Sequence, residues 1–139
     1  MGISITKDLG LEDRAMLARS TIDLLDQWGI GSGDQIKILA LPPETRIRAL
    51  KRYRDNTPLP DDEGVMERVE FVLAIAEALR TTFPTNRHMG AQWMNRPHRR
   101  FRRRTPVATI IEDGMPGLMS VRAELDCTYS WDLTGSRLS

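Results

Sequence analysis

The sequence predicts an all-α protein, and two features lead to that prediction. Apolar residues recur at helical spacing in the stretches 11–28 and 65–82. Glycines, prolines and capping residues divide the remainder into short pieces with helical start and stop signals. We therefore expect helix-turn-helix-like helices in the N-terminal half. A small helical bundle with an extended C-terminal tail is expected to follow.

Composition limits the class of protein. An apolar fraction of 40% is enough for a core, and a net charge of +1 excludes a generic polycation. Cys127 is the single cysteine, which excludes an intramolecular disulfide and fits a reducing cytoplasm. No apolar run approaches the roughly 20 residues that span a bilayer. The composition predicts a cytoplasmic protein with one ordinary domain or two small ones.

The first helix is expected to begin near Leu11. Its apolar stripe contains Leu17, Ile22, Leu24, Leu25 and Trp28, and glycines at 29, 31 and 33 end it. Ser32 and Gln35 fit a capping box, which predicts that a second, short helix begins there. Two prolines at 42 and 43 then interrupt the chain.

A third helix is expected to open at Glu44, with Ile47, Leu50 and Tyr53 on one side. Two short helices with a basic second member are typical of a helix-turn-helix, although a helical hairpin with a solvated basic face remains the alternative. On the first interpretation, Gln35 reaches a base or a phosphate and the basic residues bind phosphates. These predicted DNA-binding residues are Gln35, Arg46, Arg48, Lys51, Arg52 and Arg54.

A polar linker with two prolines, residues 55–64, is the best internal boundary. It predicts a helix-turn-helix domain at 1–58 and a second domain at 59–139. The acids at the end of the linker, Asp61, Asp62 and Glu63, suit the positive N-terminus of the following helix.

The helix expected at about 65–82 is apolar on two sides, so it must be covered on two sides. It is predicted to be either the central helix of a bundle or half of a homodimer interface. The residues assigned to this bundle core or dimer interface are Val69, Phe71, Val72, Ile75 and Leu79.

Six arginines surround Phe101 in the segment 96–104, and no acidic residue occurs between Glu77 and Glu112. A short helix at 86–95 precedes this segment. Thr105-Pro106 is a helix-start signal for the next helix at about 106–112. The segment is therefore expected to be a cationic connection between two helices. One alternative is that its arginines and Phe101 bind single-stranded nucleic acid, but packing of Phe101 between helices is favoured.

The last helix is predicted from Leu118, Val121 and Leu125. After Asp126 the apolar pattern stops, while Tyr129, Trp131 and Leu133 stand at alternate positions. We expect an aromatic tail that binds a partner, with docking on the protein's own surface or on a dimer mate as alternatives.

Catalytic and metal-binding patterns are missing from the sequence. Cys127, His88 and His98 fit no zinc spacing, and no Walker loop, GxGxxG or GxSxG occurs. His98 is expected to have a hydrogen-bonding role. The sequence thus predicts neither an enzyme nor a cofactor-binding protein.

From Val65 onward the chain resembles the toxin-binding domain of the Xre/MbcA/ParS-type antitoxins, and its first half is similar to the Xre-like helix-turn-helix that commonly precedes it. Where relatives often have Asn after the first proline and one or two glycines before Arg-Thr-Pro, this chain has His98, Arg102 and Arg103. The resemblance rests on Arg68-Val69-Glu70, Ala78-Leu79-Arg80-Thr81, Trp93-Met94-Asn95-Arg96-Pro97, Phe101, Arg104-Thr105-Pro106, Glu112-Asp113-Gly114, Leu118 and Val121-Arg122.

The resemblance implies the antitoxin of a type II toxin–antitoxin system. Such an antitoxin neutralises a RES-domain toxin that degrades NAD⁺, and together with the toxin it represses its own operon. The resemblance also implies operator DNA as a second partner. Together with the two-sided helix at 65–82, it predicts a homodimer and a higher-order complex with toxin. A stand-alone helix-turn-helix repressor without a toxin is the alternative. With the tail blocking the toxin's active site, the expected toxin-binding residues are Tyr129, Trp131, Asp132, Arg99, Arg100, Arg102 and Arg103.

Overall fold

The computed structural model describes residues 10–134, including their side chains except those of Arg87 and residues 128–134. Helices account for most of this part of the chain, which confirms the all-α prediction. The helices are α1 (Leu11–Gln27), α2 (Ser32–Ile38), α3 (Ala49–Asp55), α4 (Glu63–Thr82), α5 (Arg87–Met94), α6 (Pro106–Asp113) and α7 (Met115–Thr134).

The chain forms two compact units, Met1–Glu70 and Phe71–Ser139, and the division falls inside α4. The linker at 55–64 therefore belongs to the first unit. The assignment of 1–58 and 59–139 as functional domains stays a prediction.

In the first unit, α1 packs against α3. The expected α1 stripe is confirmed at Ile22, Leu25 and Trp28, which are buried. Gly29 ends the helix with a positive φ of 79°, and Ile30 N–H donates to Leu25 O at 3.0 Å. This is a Schellman-type ending, for which glycine is the usual residue.

The predicted capping box at Ser32 is wrong. The N-cap of α2 is Gly31, and no side chain caps this helix end. Gln35, expected at the third helical position as a cap, is instead fully buried and turned toward the end of α1. The predicted start of α3 at Glu44 is also wrong, because residues 42–48 form turns and the helix begins at Ala49.

The connection between α2 and α3 is longer than the tight turn of a helix-turn-helix. It begins at Ala40, whose φ of 54° is left-handed, and Leu41 N–H donates to Ile36 O at 3.1 Å. Alanine in this conformation costs about 1–2 kcal/mol relative to glycine. The first unit thus has the two expected short helices but not a tight turn between them.

Helix α4 begins where the linker acids predict. Asp62 Oδ1 accepts a hydrogen bond from Val65 N–H at 3.1 Å, which caps the helix. Of the five residues assigned to the bundle core or dimer interface, Phe71 is half-buried and the other four are buried within one chain. The buried four are Val69, Val72, Ile75 and Leu79. This burial agrees with the bundle-core interpretation of the stripe.

In the second unit, α6 and α7 form a helical hairpin around Gly114, whose φ is 68°. Leu118, Val121 and Leu125 of α7 are fully buried, as their spacing predicts. The two helices touch at Gly117, where an added Cβ would lie 2.4 Å from Thr109 O. Only glycine fits so close an approach.

The predicted extended tail after Asp126 is wrong, because α7 continues to Thr134. The segment lacks an apolar stripe, but it also lacks proline and glycine until Gly135. Once the buried residues of α7 fix the preceding turns, each further residue adds a helical hydrogen bond without a new nucleation cost. Tyr129, Trp131 and Asp132 therefore lie on a helical backbone, and their side chains are outside the described set.

Within residues 10–134, no helix is both long enough and apolar enough to cross a membrane.

The close approach at Gly117 gives a test of the hairpin. Gly117→Ala is expected to destabilise the protein by about 1–3 kcal/mol, because the new methyl group meets backbone atoms that cannot move aside cheaply. The measurement is urea unfolding followed by circular dichroism.

The matched control is Gly90→Ala in the same unit, whose Cβ would lie at an ordinary distance of 3.5 Å from Leu79 Cβ. It should raise stability by about 0.5–1 kcal/mol, because alanine is the better helix former. Equal effects of the two substitutions would refute the close approach.

Candidate functional site

The segment 96–104, here called the arginine turn, connects α5 to α6 as a closed loop. It contains one 3₁₀ turn, Arg99–Phe101. His98 N–H donates to Arg104 O at 3.1 Å, and Arg103 N–H donates to His98 O at 3.0 Å. These bonds join the two ends of the loop. The six arginines are therefore carried on a fixed backbone rather than on an open linker.

Three aromatic rings anchor the arginine turn. The ring centroids of Trp93 and His98 are 4.8 Å apart, and Phe101 meets both rings edge-on at 6.4 and 6.0 Å. His98 Nε2–H donates to Trp93 O at 3.1 Å, which agrees with its expected hydrogen-bonding role. Phe101 is only 4% exposed, so it is an anchor and not a stacking platform for bases.

The tip of the turn has an unusual backbone. Arg102 and Arg103 are both left-handed, with φ of 58° and 66°, and Arg104 N–H donates to Phe101 O at 3.0 Å. This is a type I′ turn, which normally uses Asn-Gly or Gly-Gly. Each arginine costs about 1–2 kcal/mol in this conformation. The chain thus forms a type I′ turn with two arginines, Arg102 and Arg103, at the positions where glycine or asparagine is usual.

Arg104 is the residue that holds the turn to α6. Its Nε–H donates to Phe101 O at 3.0 Å, its Nη1 donates to Glu112 Oε1 at 3.0 Å, and its Nη2 donates to Asp113 Oδ2 at 3.0 Å. The hydrogen bond from Arg104 lowers the pKa of Asp113 below its usual value. Both acids stand at the C-terminal end of α6, where the helix dipole disfavours them, and the guanidinium offsets this.

The start of α6 is formed as its sequence predicts. Thr105 Oγ1 accepts a hydrogen bond from Ala108 N–H at 2.9 Å, and Pro106 is the first helical residue. The cap and the Arg104 bonds therefore fix both ends of a short helix to the arginine turn.

The arginines expected to bind a toxin all project from this one turn. Arg99, Arg102 and Arg103 are exposed, as is Arg96. Arg100 pairs loosely with Glu124 on α7, at 3.4 Å and with 70% of its side chain exposed. A pair this exposed contributes little to stability. The structure thus brings four of the seven predicted toxin-binding residues together, and the other three lie on α7 beyond the described side chains.

In the first unit, the predicted DNA-binding residues differ in their exposure to solvent and in their internal hydrogen bonds. Gln35 is fully buried, and its Nε2–H₂ group donates to Asp26 Oδ1 at 2.6 Å and to Ile30 O at 2.9 Å. It is therefore not available to a base, and that prediction is wrong for this structure. The physical reason is the ending of α1, which brings Asp26 and Ile30 beside the start of α2.

Arg54 is also engaged internally. Its Nε and Nη2 both donate to the carboxylate of Asp26, each at 2.9 Å. This bidentate hydrogen bond lowers the pKa of Asp26 and raises that of Arg54. More than a third of each side chain is exposed, so the pair is worth only about 0.2–1 kcal/mol. Arg54 thus fastens α3 to α1.

The remaining basic residues of this region are exposed and form no ion pair within the described part of the chain. Lys51 and Arg52 are on α3, whereas Arg46 and Arg48 lie in the preceding turns. Ile47, which the sequence pattern assigned to the apolar helix face, is 60% exposed between two arginines.

Two features of these sites were missed by reasoning from the sequence. One is the role of Asp26, and the other is the set of hydrogen bonds made by Arg104. Their partners are set by tertiary structure, so no local pattern in the sequence indicated them.

Among the described residues, no group of three His, Cys, Asp or Glu side chains is placed to hold a metal ion.

The Arg104 bonds predict a specific acid response. A carboxylate with a lowered folded-state pKa adds stability above its ordinary pKa of about 3.9, and this stability is lost as pH falls through the folded value. Arg104→Gln should therefore lower the melting temperature at neutral pH. The difference in melting temperature from wild type should narrow as pH falls below about 4. It should close below the lowered folded-state pKa of Asp113, where this carboxyl group is protonated in both the folded and the unfolded chain. The measurement is thermal unfolding across pH.

Arg99→Gln is the matched control, since Arg99 is exposed in the same turn. This variant should have the same melting temperature as the wild type at neutral pH. A difference in melting temperature for Arg104→Gln that stayed constant down to acidic pH would contradict the assigned role of Asp113.

Comparisons with known proteins find a similarity within the second unit. Residues 78–128 match the model of the antitoxin Xre/MbcA/ParS C-terminal toxin-binding domain. This range contains α5, the arginine turn, α6 and the buried part of α7. The chain is also 29% identical over 103 residues to the uncharacterized protein y4oB of Sinorhizobium fredii, covering 74% of this chain and 76% of that protein. Residues 78–128 are therefore similar to the C-terminal toxin-binding domain of the Xre/MbcA/ParS antitoxins.

Proposed function

We propose that this protein is the antitoxin of a type II toxin–antitoxin system and that its partner is a RES-domain toxin that degrades NAD⁺. The single observation that carries the proposal is the family match at 78–128. The fold supports it, because the matched range has its own packed core. This core includes Met94, Phe101, Ile110 and Leu118.

The C-terminal part of α7 is proposed to block the toxin's active site. Among the side chains described on this helix, Leu125 is the last that is buried, yet the helical backbone continues to Thr134. Residues 126–134 therefore extend beyond the last buried position that is described. An aromatic helix entering a groove is a common mode of recognition between proteins. Tyr129, Trp131 and Asp132 remain the residues proposed to enter the NAD⁺ site.

Two truncations separate toxin binding from toxin inhibition. A chain ending at Asp126 keeps Leu125 and every other residue described as buried in the second unit, so it should fold and still capture the toxin. It should fail to inhibit NAD⁺ cleavage, measured with purified toxin. A chain ending at Thr134 is the matched control and should inhibit like the full protein. Full inhibition by the shorter chain would refute the blocking role of α7.

Operator binding is proposed as the second function of the same protein. The observation that favours it is the group of exposed cations around the start of α3: Arg46, Arg48, Lys51 and Arg52. Such a group matches the phosphate backbone of DNA. We propose a homodimer as the repressor form, since paired half-sites are the usual target of helix-turn-helix proteins. The alternative of a stand-alone repressor predicts that no RES-domain gene adjoins this one.

Salt dependence tests the operator-binding proposal. Replacing Arg46, Arg48, Lys51 and Arg52 by glutamine should weaken binding to the upstream DNA. The slope of log affinity against log salt should fall by about 0.9 for each phosphate that is no longer neutralised. Arg54→Gln is the matched control, because Arg54 is held by Asp26 and its removal should reduce stability without changing the slope. An unchanged slope for the four-residue variant would contradict this site.

A further inference from the structure

The arginine turn has a feature that toxin binding by α7 does not explain. Two consecutive arginines, Arg102 and Arg103, occupy left-handed backbone positions at which glycine or asparagine would be unstrained. Their side chains are exposed, so burial does not offset the strain. Backbone strain that persists in a well-anchored loop is a reason to look for a ligand. Such a ligand must fit a surface made of guanidinium groups.

The acids near the turn are already engaged by other arginines. Glu112 and Asp113 are bound by Arg104, and Glu124 lies beside Arg100. The charge of Arg102 also helps to lower the pKa of Asp113, after the larger effect of Arg104, but Arg102 forms no ion pair with it. The remaining arginines of the turn produce a local positive potential, despite a net charge of only +1 for the chain. Those that form no ion pair within the described residues are Arg96, Arg99, Arg102 and Arg103.

The turn offers no apolar anchor for a protein partner. Its aromatic residue, Phe101, is buried, and the large exposed apolar side chains described in the second unit, Met89 and Met119, lie outside the turn. Stable protein interfaces are centred on buried aromatic or aliphatic residues, with charges at the rim. Guanidinium groups without such a centre fit phosphate oxygens, which they bind through paired hydrogen bonds.

We propose that the arginine turn is a binding site for the phosphate backbone of double-stranded DNA, with Arg102 and Arg103 as its principal ligands and Arg96 and Arg99 beside them. The type I′ turn and its aromatic anchor hold the backbone in place before binding, which reduces the ordering cost. A duplex fits better than a single strand, because Phe101 is buried and the ring of His98 is held against Trp93, so neither ring of the turn is free to stack on a base. The site does not depend on toxin binding or on the cations of α3.

The decisive variant is Arg102→Asn with Arg103→Gly in the full chain. Asn-Gly is the preferred sequence of a type I′ turn, so this variant should fold at least as stably as the wild type while removing two cations. The probe is a short DNA duplex of arbitrary sequence, measured by fluorescence anisotropy over a series of KCl concentrations. The slope of log affinity against log salt should fall by about 1.8, or about 0.9 for each arginine removed. Arg102→Lys with Arg103→Lys should keep most of the slope.

The matched control removes two cations elsewhere in the chain's second unit. Arg80→Gln with Arg122→Gln gives the same change in net charge and should leave the slope unchanged. The proposal is overturned if the Asn-Gly variant keeps the wild-type slope, whether or not it still captures toxin. Failed toxin capture with normal DNA binding would assign the turn to an acidic protein surface instead. Equal affinity for a single strand of the same length would also overturn it.

Discussion

Among the side chains described in the second unit, Arg104 forms the most extensive set of hydrogen bonds. One guanidinium binds the carbonyl oxygen of Phe101 within the turn and two carboxylates at the end of α6. Its backbone carbonyl at the same time pairs with His98 N–H. A single residue thus closes the loop, fixes α6 to it, and neutralises two acids that the helix dipole disfavours. The next two residues, Thr105 and Pro106, then start α6.

Hydrogen bonding by Arg104 explains how one run of arginines divides into two roles. Arg104 is half-buried and held by its hydrogen bonds to the turn and to α6, while the type I′ turn presents Arg102 and Arg103 to solvent. Phe101, which precedes them in the sequence, is buried against Trp93 and is not exposed to solvent. The resulting surface is cationic and has no apolar centre. The aromatic residues proposed to enter a toxin lie elsewhere, on the continuation of α7, so protein recognition and phosphate recognition are assigned to different elements.

Much of the fold could be predicted from the sequence, because the signals involved are local. The Thr105-Pro106 start, the Gly29 stop and the helical spacing within α7 each act over one or two turns of helix. The errors arose where tertiary structure decides. Gln35 matched a capping box, but the end of α1 placed Asp26 within its reach and the side chain turned inward. The segment after Asp126 has no apolar stripe, yet it continues as helix because an anchored helix needs no further stripe to propagate.

Capture of the toxin by the second unit, through α7, is the interaction on which the proposed function depends. Hydrogen–deuterium exchange of the full protein, with and without a RES-domain toxin, tests it directly. We predict new protection within residues 78–134, including the backbone of α7 after Leu125. We also predict little change in α1 to α3 of the first unit. Protection confined to the first unit, with exchange in α7 unchanged, would contradict toxin capture by the second unit.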